Sequence, residues 1–197
     1  MTFEDEKVLV SLKRNQGDPT TVLLERCLDN LDVQQLFLFD KVYLILKLRE
    51  ISYGKEYSAL ITCPTCKEEN NIVFDLGVLE IKYISEDMAY PVLVELPGIK
   101  KTAKITFPRL SDDSYFGNPG QTFSQLWRFI EDIGGITDPP TIVKALDRLP
   151  LEDVHTLVRY IVGNEFGIQT EVRFLCDSCE EVTKMELPIT SDFFSVS

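Results

Sequence analysis

The stretch DKVYLILKLREISYGKEYSALITCPTCKEENNIVFDL, residues 40–76, has a counterpart in DVHTLVRYIVGNEFGIQTEVRFLCDSCEEVTKMELPI, residues 153–189. A shift of 113 residues aligns the two without a gap. Asp40 falls on Asp153, Leu44 on Leu157, Tyr53-Gly54 on Phe166-Gly167, and Cys63 and Cys66 on Cys176 and Cys179. Two unrelated amphipathic helices share an apolar period, but not an ungapped register through helix, glycine and both cysteines. Likeness continues upstream with small gaps. Asp18-Pro19-Thr20-Thr21-Val22 resembles Asp138-Pro139-Pro140-Thr141-Ile142, and Leu36 matches Leu149. The chain therefore reads as two homologous halves: 1–80, carrying helices and the first Cys-x-x-Cys hairpin, and 81–197, carrying an extra hairpin, helices and the second Cys-x-x-Cys hairpin.

Each half has the same order of elements. Asp18 and Asp138 are N-cap residues, and Pro19 and Pro139 suit a first helical turn. In the second helix Val154, Leu157, Val158, Ile161 and Val162 recur at i, i+3, i+4, i+7 and i+8, the apolar face of a helix. Leu44, Ile45 and Leu48 make the corresponding face in the first half. Gly54 and Gly167 stand where a helix ends in a left-handed residue. Strands over about 57–62 and 170–175 lead into the cysteines, and strands over about 71–75 and 182–187 lead out. Each cysteine pair thus sits at the tip of a β-hairpin. The fold class expected is α+β, with internally duplicated helix–hairpin units around a zinc-ribbon-like four-cysteine site.

Part of the second half has no counterpart in the first. Residues 92–98 and 103–107 alternate across Pro97-Gly98 and predict a further hairpin. Its edge is expected to be free for another protein chain, so that deletion of 97–103 would leave both halves folded. Phe123, Leu126, Trp127, Ile130 and Ile133 predict an amphipathic helix, capped by Thr122 and stopped at Gly134-Gly135. A turn-rich loop, 111–121, lies between.

The four paired cysteines carry the chemistry. Zinc takes four deprotonated soft ligands in a tetrahedron, and a Cys-x-x-Cys turn supplies two. One pair leaves the shell half filled, so Cys63, Cys66, Cys176 and Cys179 together point to one shared structural zinc. More than a hundred residues separate the pairs, unlike a compact ribbon. A redox dithiol, metal-free thiols, or pairs completed by another chain therefore remain as alternatives. Cys27 stands alone in an apolar helical pattern as a small hydrophobe.

Catalysis finds little support, and no catalytic or cofactor-binding residue emerges. His155 is the single histidine, and no nucleophile motif accompanies it. Gly134-Gly135 lacks the Lys-Ser/Thr of a phosphate loop. Glu4-Asp5-Glu6, Asp112-Asp113 and Glu180-Glu181 read as solvated charge. A zinc held by four cysteines has no open position for water.

Composition narrows the partners. With 20 Lys+Arg against 32 Asp+Glu the formal net charge is -12, a background that repels phosphate. Apolar residues make up 44%, enough for a packed core, yet no run approaches the roughly 20 residues of a membrane span. The acidic start lacks the layout of a signal peptide, so synthesis in a reducing compartment is expected. The expected partners are proteins, with no nucleic acid, no membrane span and no small-molecule substrate.

Leu36-Phe37-Leu38-Phe39-Asp40, then Tyr43 to Arg49, then Ser52-Tyr53-Gly54-Lys55-Glu56, resemble the "L-P-x-F-D…Y-x-x-x-x-L-R-x-x-S-x-G-E" segment of the baseplate hub proteins of T-even-like contractile-tailed phages. The cysteine pair follows where those proteins carry theirs. Leu96-Pro97-Gly98-Ile99-Lys100-Lys101 is similar to that family's "L-P-S-G-K" strand. Phe37 stands where the pattern has proline, which the second half keeps as Leu149-Pro150. The resemblance implies a structural or assembly protein of the tail baseplate hub. Its partners would be other baseplate or hub proteins, and its location the virion tail or the host cytoplasm during assembly. Only the cysteines carry over as site residues. The alternative is a regulatory zinc-ribbon module that binds nucleic acid or a polymerase. The acidic flanks of the knuckles, Lys67-Glu68-Glu69, Asp177 and Glu180-Glu181, favour the structural role.

Overall fold

Two Asp-Pro steps start two helices as expected. The Asp18 carboxylate accepts the Thr21 N–H at 3.1 Å, and the Asp138 carboxylate accepts that of Thr141 at 3.1 Å. Each thereby satisfies one of the N–H groups left over in a first helical turn. A computed structural model of the chain describes residues 1–11, 18–116, 119–163, 165–189 and 191–194. In chain order the helices are Phe3–Ser11 (α1), Pro19–Cys27 (α2), Leu38–Tyr53 (α3), Pro119–Gln125 (α4), Pro139–Leu146 (α5) and Leu151–Val162 (α6). The strands are Glu56–Thr62 (β1), Glu69–Asp75 (β2), Ile81–Lys82 (β3), Val92–Leu96 (β4), Lys101–Ile105 (β5), Ile130–Ile133 (β6), Gly167–Ile168 (β7), Glu171–Leu175 (β8) and Val182–Glu186 (β9). Helices and small sheets make this an α+β protein. Among the described residues no helix is long and apolar enough to cross a membrane.

The chain forms two compact units, Met1–Leu31 with Val42–Ile81 and Ile168–Ser197, and Asp32–Lys41 with Lys82–Gly167. The division differs from that of the sequence halves, because both cysteine hairpins belong to the first unit. That unit buries Leu23 and Leu24 of α2, Ile45 and Leu46 of α3, and Tyr57, Ile61, Phe74, Phe174 and Phe193. Gly54, the residue after α3, has φ +91. The left-handed turn it was expected to make is therefore present.

Arg49 is the cation inside this first core, only 3% exposed. Its guanidinium lies 5.4 Å from the ring centres of Tyr53 and Tyr57 and 5.6 Å from that of Phe193. It donates to the Gly54 carbonyl at 3.1 Å, closing the end of α3. Aromatic faces compensate part of the desolvated charge, while burial still pushes its pKa below the usual arginine value. Asp5, read from the sequence as solvated charge, is in fact buried. It accepts the Thr2 N–H and hydroxyl at 2.7 and 2.8 Å and Arg26 Nε at 2.8 Å.

The second unit is organised by a three-stranded sheet in the order β4-β5-β6. Alternation along β4 buries Val92, Val94 and Leu96 and leaves Leu93 and Glu95 outside. These join Ala103, Ile105, Leu126, Phe129, Ile142, Leu157 and Ile161 in one core. The 92–107 hairpin is therefore the centre of this unit and not a free appendage. Among the described residues, one side of β4 is left without a strand partner. The expected helix over 123–133 is also corrected: α4 gives way to a 3-10 turn, Leu126–Phe129, and then to β6. Ile130 and Ile133 reach the same core from a strand, which pairs Ile130 with Ile105 and Ile133 with Ala103 across an irregular register. Unpaired β5 groups compete with the helix and tertiary pairing wins. Of the loop 111–121, residues 117 and 118 lie outside the described residues, and Leu110–Phe116 is a 3-10 helix. α6 ends at Gly163, so Gly167, with φ +84, opens β7 and does not terminate the helix.

Asp153, fully buried, fixes the turn of that hairpin. Its carboxylate accepts the Gly98 N–H at 2.7 Å and the Ile99 N–H at 3.0 Å. A Cβ on Gly98 would come within 2.7 Å of an Asp153 oxygen, so glycine is required for the approach.

Asp153→Ala strands both N–H donors and should cost roughly 2–4 kcal/mol; an unchanged urea midpoint would refute this role. Deletion of 97–103 should likewise unfold this unit. The Thr2 donors, with Arg26 beside them, hold the Asp5 carboxyl down to about 2 from 3.8. A depressed acid stabilises the fold above the unfolded value and loses that contribution as pH falls from about 4 towards 2. Asp5→Asn should lower the melting temperature at neutral pH and flatten the acid limb of a pH–stability curve over that window.

Candidate metal centre

Cys-x-x-Cys closes a tight turn in which backbone N–H groups converge on sulfur, and the first unit contains two such turns. Hairpin β1–β2 pairs Ser58 with Val73 and Thr62 with Glu69. Hairpin β8–β9 pairs Glu171 with Glu186 and Leu175 with Val182. These pairs are the same under the 113-residue shift. The turns also match bond for bond. Cys63 N–H donates to the Glu68 carbonyl at 2.9 Å and Lys67 N–H to the Cys63 carbonyl at 3.0 Å. Cys176 N–H donates to Glu181 at 3.0 Å and Glu180 N–H to Cys176 at 2.9 Å. Lys67 and Glu180 both have positive φ, +67 and +57. That conformation is uncommon for residues with a Cβ and turns the chain back after the second cysteine.

The four sulfurs meet. All of Cys63, Cys66, Cys176 and Cys179 Sγ lie within 4.8 Å of one another. Cys63 Sγ is 3.8 Å from Cys179 Sγ, and Cys66 Sγ is 3.6 Å from Cys176 Sγ. The first cysteine of each turn is fully buried, Cys66 is partly covered and Cys179 is exposed. Cys27 lies at the end of α2, apart from this cluster, and burial raises its pKa.

Electrostatics divides the sulfurs into two classes. The N–H groups of Cys179 and Ser178 stabilise the Cys176 thiolate and bring its pKa down to about 6. Those of Cys66 and Thr65 lower Cys63 in the same way. The Glu181 N–H favours a Cys179 thiolate, but burial and the three neighbouring sulfurs outweigh it and push the pKa up to about 12. Cys66 is raised by burial and by the sulfurs of Cys176 and Cys63, against the N–H of Glu68. Four acidic groups this close cannot all ionise unless a cation joins them. With a divalent ion near 2.3 Å from each sulfur, a tetrahedron has edges of about 3.8 Å, close to the two spacings above. The donor set thus fits a soft, four-coordinate metal.

Asn70 is a part of the site that the sequence reading missed. It is 3% exposed. Its Oδ1 accepts the Asp177 N–H of the opposite turn at 2.9 Å, while its Nδ2 donates to the Glu68 carbonyl at 3.1 Å. It ties one cysteine turn to the other. Thr183 stands at the position 113 residues on, so aligning the two stretches gave no signal for it. The Tyr57 hydroxyl adds a further tie, donating to the Pro188 carbonyl at 2.8 Å. His155 is exposed on α6.

No curated protein and no solved structure matches this chain significantly. The family described as T4 bacteriophage base plate protein matches residues 1–195, so nearly every element above falls within it. With almost the whole chain matched, this chain is a member of the T4 bacteriophage base plate protein family.

Proposed function

We propose that this chain is a non-enzymatic structural or assembly protein of the phage baseplate hub, and that Cys63, Cys66, Cys176 and Cys179 hold one structural zinc. The carrying observation is the convergence of four sulfurs within 4.8 Å, from turns more than a hundred residues apart, at tetrahedral spacing. A site filled by four thiolates offers water no open position, so the metal's role is to hold the fold. The partners are other baseplate or hub proteins, in the virion tail or in the host cytoplasm during assembly; nucleic acid and small-molecule substrates are not among them. Membership of the base plate family supports this, as do the hub-like segment over 36–56 and the acidic, exposed knuckles.

The same reading makes 1–80 and 81–197 the products of a duplication. The equal registers of the two hairpins and their equal turn bonds support it. Each hairpin alone gives half a coordination shell, so two copies complete what one cannot. A further role for the metal follows from chain length. Closing so long a loop removes much freedom from the unfolded chain. Structural zinc contributes on the order of 10 kcal/mol, comparable with the roughly 5–15 kcal/mol net stability of a domain.

Metal analysis of the purified protein should find one zinc per chain. Cys66→Ser and Cys179→Ser should each release it and lower stability by similar amounts. A single mutant that retains full zinc, or two zinc ions per chain, would overturn the shared site. In infected cells, a tagged chain should co-purify with baseplate proteins from assembling tails. Cys66→Ser should abolish that recovery. Recovery with nucleic acid or a polymerase in place of baseplate proteins would refute the structural reading.

A further inference from the structure

The second unit carries an open cleft of about 420 Å³. Tyr90, Phe107 and Phe129 form an aromatic wall, and Arg109, Tyr115 and Arg128 line the rest together with Asp112 and Thr106. The two guanidiniums are held by neutral groups. Arg109 stacks 4.9 Å from the Phe37 ring centre and donates to the Gln35 carbonyl. Arg128 lies 4.6 Å from the Tyr115 ring centre and 4.8 Å from that of Trp127, with Nε donating to Gln125 Oε1 at 2.6 Å. Among the described residues neither forms an ion pair, although acidic groups outnumber basic ones in the chain, 32 to 20. Asp112 does not neutralise them by contact: its carboxylate accepts the Arg109 backbone N–H at 2.9 Å, as a turn bond. The Tyr90 hydroxyl accepts the Phe107 N–H at 3.3 Å. Its own O–H has no acceptor among the described residues.

We propose that this cleft binds an acidic segment of a partner protein, with a carboxylate held between Arg109 and Arg128. A guanidinium fork matches a carboxylate in shape and charge, and it does so most strongly when aromatic stacking has fixed its plane. The aromatic wall takes the methylene stem of a glutamate or a neighbouring apolar side chain. A cleft of this volume accommodates one or two side chains and not a folded surface. A phosphate also matches a guanidinium, but it has no methylene stem to lay on the aromatic wall of Tyr90, Phe107 and Phe129, which favours a glutamate side chain. The inference does not depend on the zinc reading, because the lining residues lie entirely within the second unit.

The test uses the full chain and a glutamate-rich hexapeptide, titrated at low salt by calorimetry. Trp127, the only tryptophan, stacks on Arg128 and gives a second, fluorescence readout. The expected result is saturable binding of the peptide and none of its glutamine isostere. Arg128→Gln, at an exposed position, and Arg109→Gln should each weaken binding at least about tenfold (about 1.4 kcal/mol). Arg128→Gln should leave the melting temperature unchanged. Absence of saturable binding, or equal binding by wild type and both variants, overturns the proposal. So does preferential binding of inorganic phosphate or of a single-stranded oligonucleotide, which would make the cleft an anion or nucleic-acid site.

Discussion

Four sulfurs confined within 4.8 Å are the constraint on which the first unit turns. Like charges that close repel by several kcal/mol at the effective dielectric of a protein surface. The thiols are split instead, with Cys176 pulled down to about 6 by the N–H groups of its own turn and Cys179 driven up to about 12 by desolvation and the neighbouring sulfurs. Each hairpin favours a thiolate at its first cysteine, and a cation would be needed for all four sulfurs to ionise together. The paired turns are the means. Lys67 and Glu180 take the same left-handed conformation, and the same pair of backbone bonds closes each knuckle. Asn70 then breaks the symmetry by reaching from one turn to the backbone of the other.

Around this point a few buried polar groups add ties to the apolar core of the first unit. Arg49 fills a position that a leucine could occupy, yet it does two things that leucine cannot. It ties off the end of α3 through Gly54, and it draws Tyr53, Tyr57 and Phe193 around one cation. Tyr57 in turn reaches the Pro188 carbonyl, so the first hairpin and the C-terminal segment share one aromatic cluster. The second unit follows the same logic with the opposite charge. Buried Asp153 has two N–H donors and, among the described residues, no ion-pair partner; the hairpin turn itself solvates it. A buried charge persists only where its partners are in place.

Much of this was legible in the sequence because it is local or repeated. The Asp-Pro caps, the left-handed Gly54, both hairpins and the spacing of the cysteines follow from turn chemistry and from periods of 3.6 and 2. The 113-residue register also singled out the four cysteines as one set. It did not reveal Asn70, which has no repeated counterpart, or the buried state of Asp5, whose neighbours Glu4 and Glu6 made it look like ordinary surface charge. The resemblance over 36–56 included Arg49 as a motif letter, without the ring of aromatics that gives the letter its reason.

What the tertiary structure alone decided is how distant pieces share hydrogen bonds and space. Residues 130–133 have the apolar pattern of a helix, but β5 offered them backbone partners and they became a strand. The 92–107 hairpin reads as an appendage because it interrupts a repeat, yet its inner face supplies much of the core of the second unit. Helix caps, turns and strand alternation depend on neighbours within a few residues, so the sequence by itself determined them. Convergence of Cys63 and Cys66 with Cys176 and Cys179, and the clamp of Asp153 on Gly98, depend on residues tens to more than a hundred positions apart. Such contacts carry no local signature, because the free energy that selects them belongs to packing and desolvation of the assembled fold.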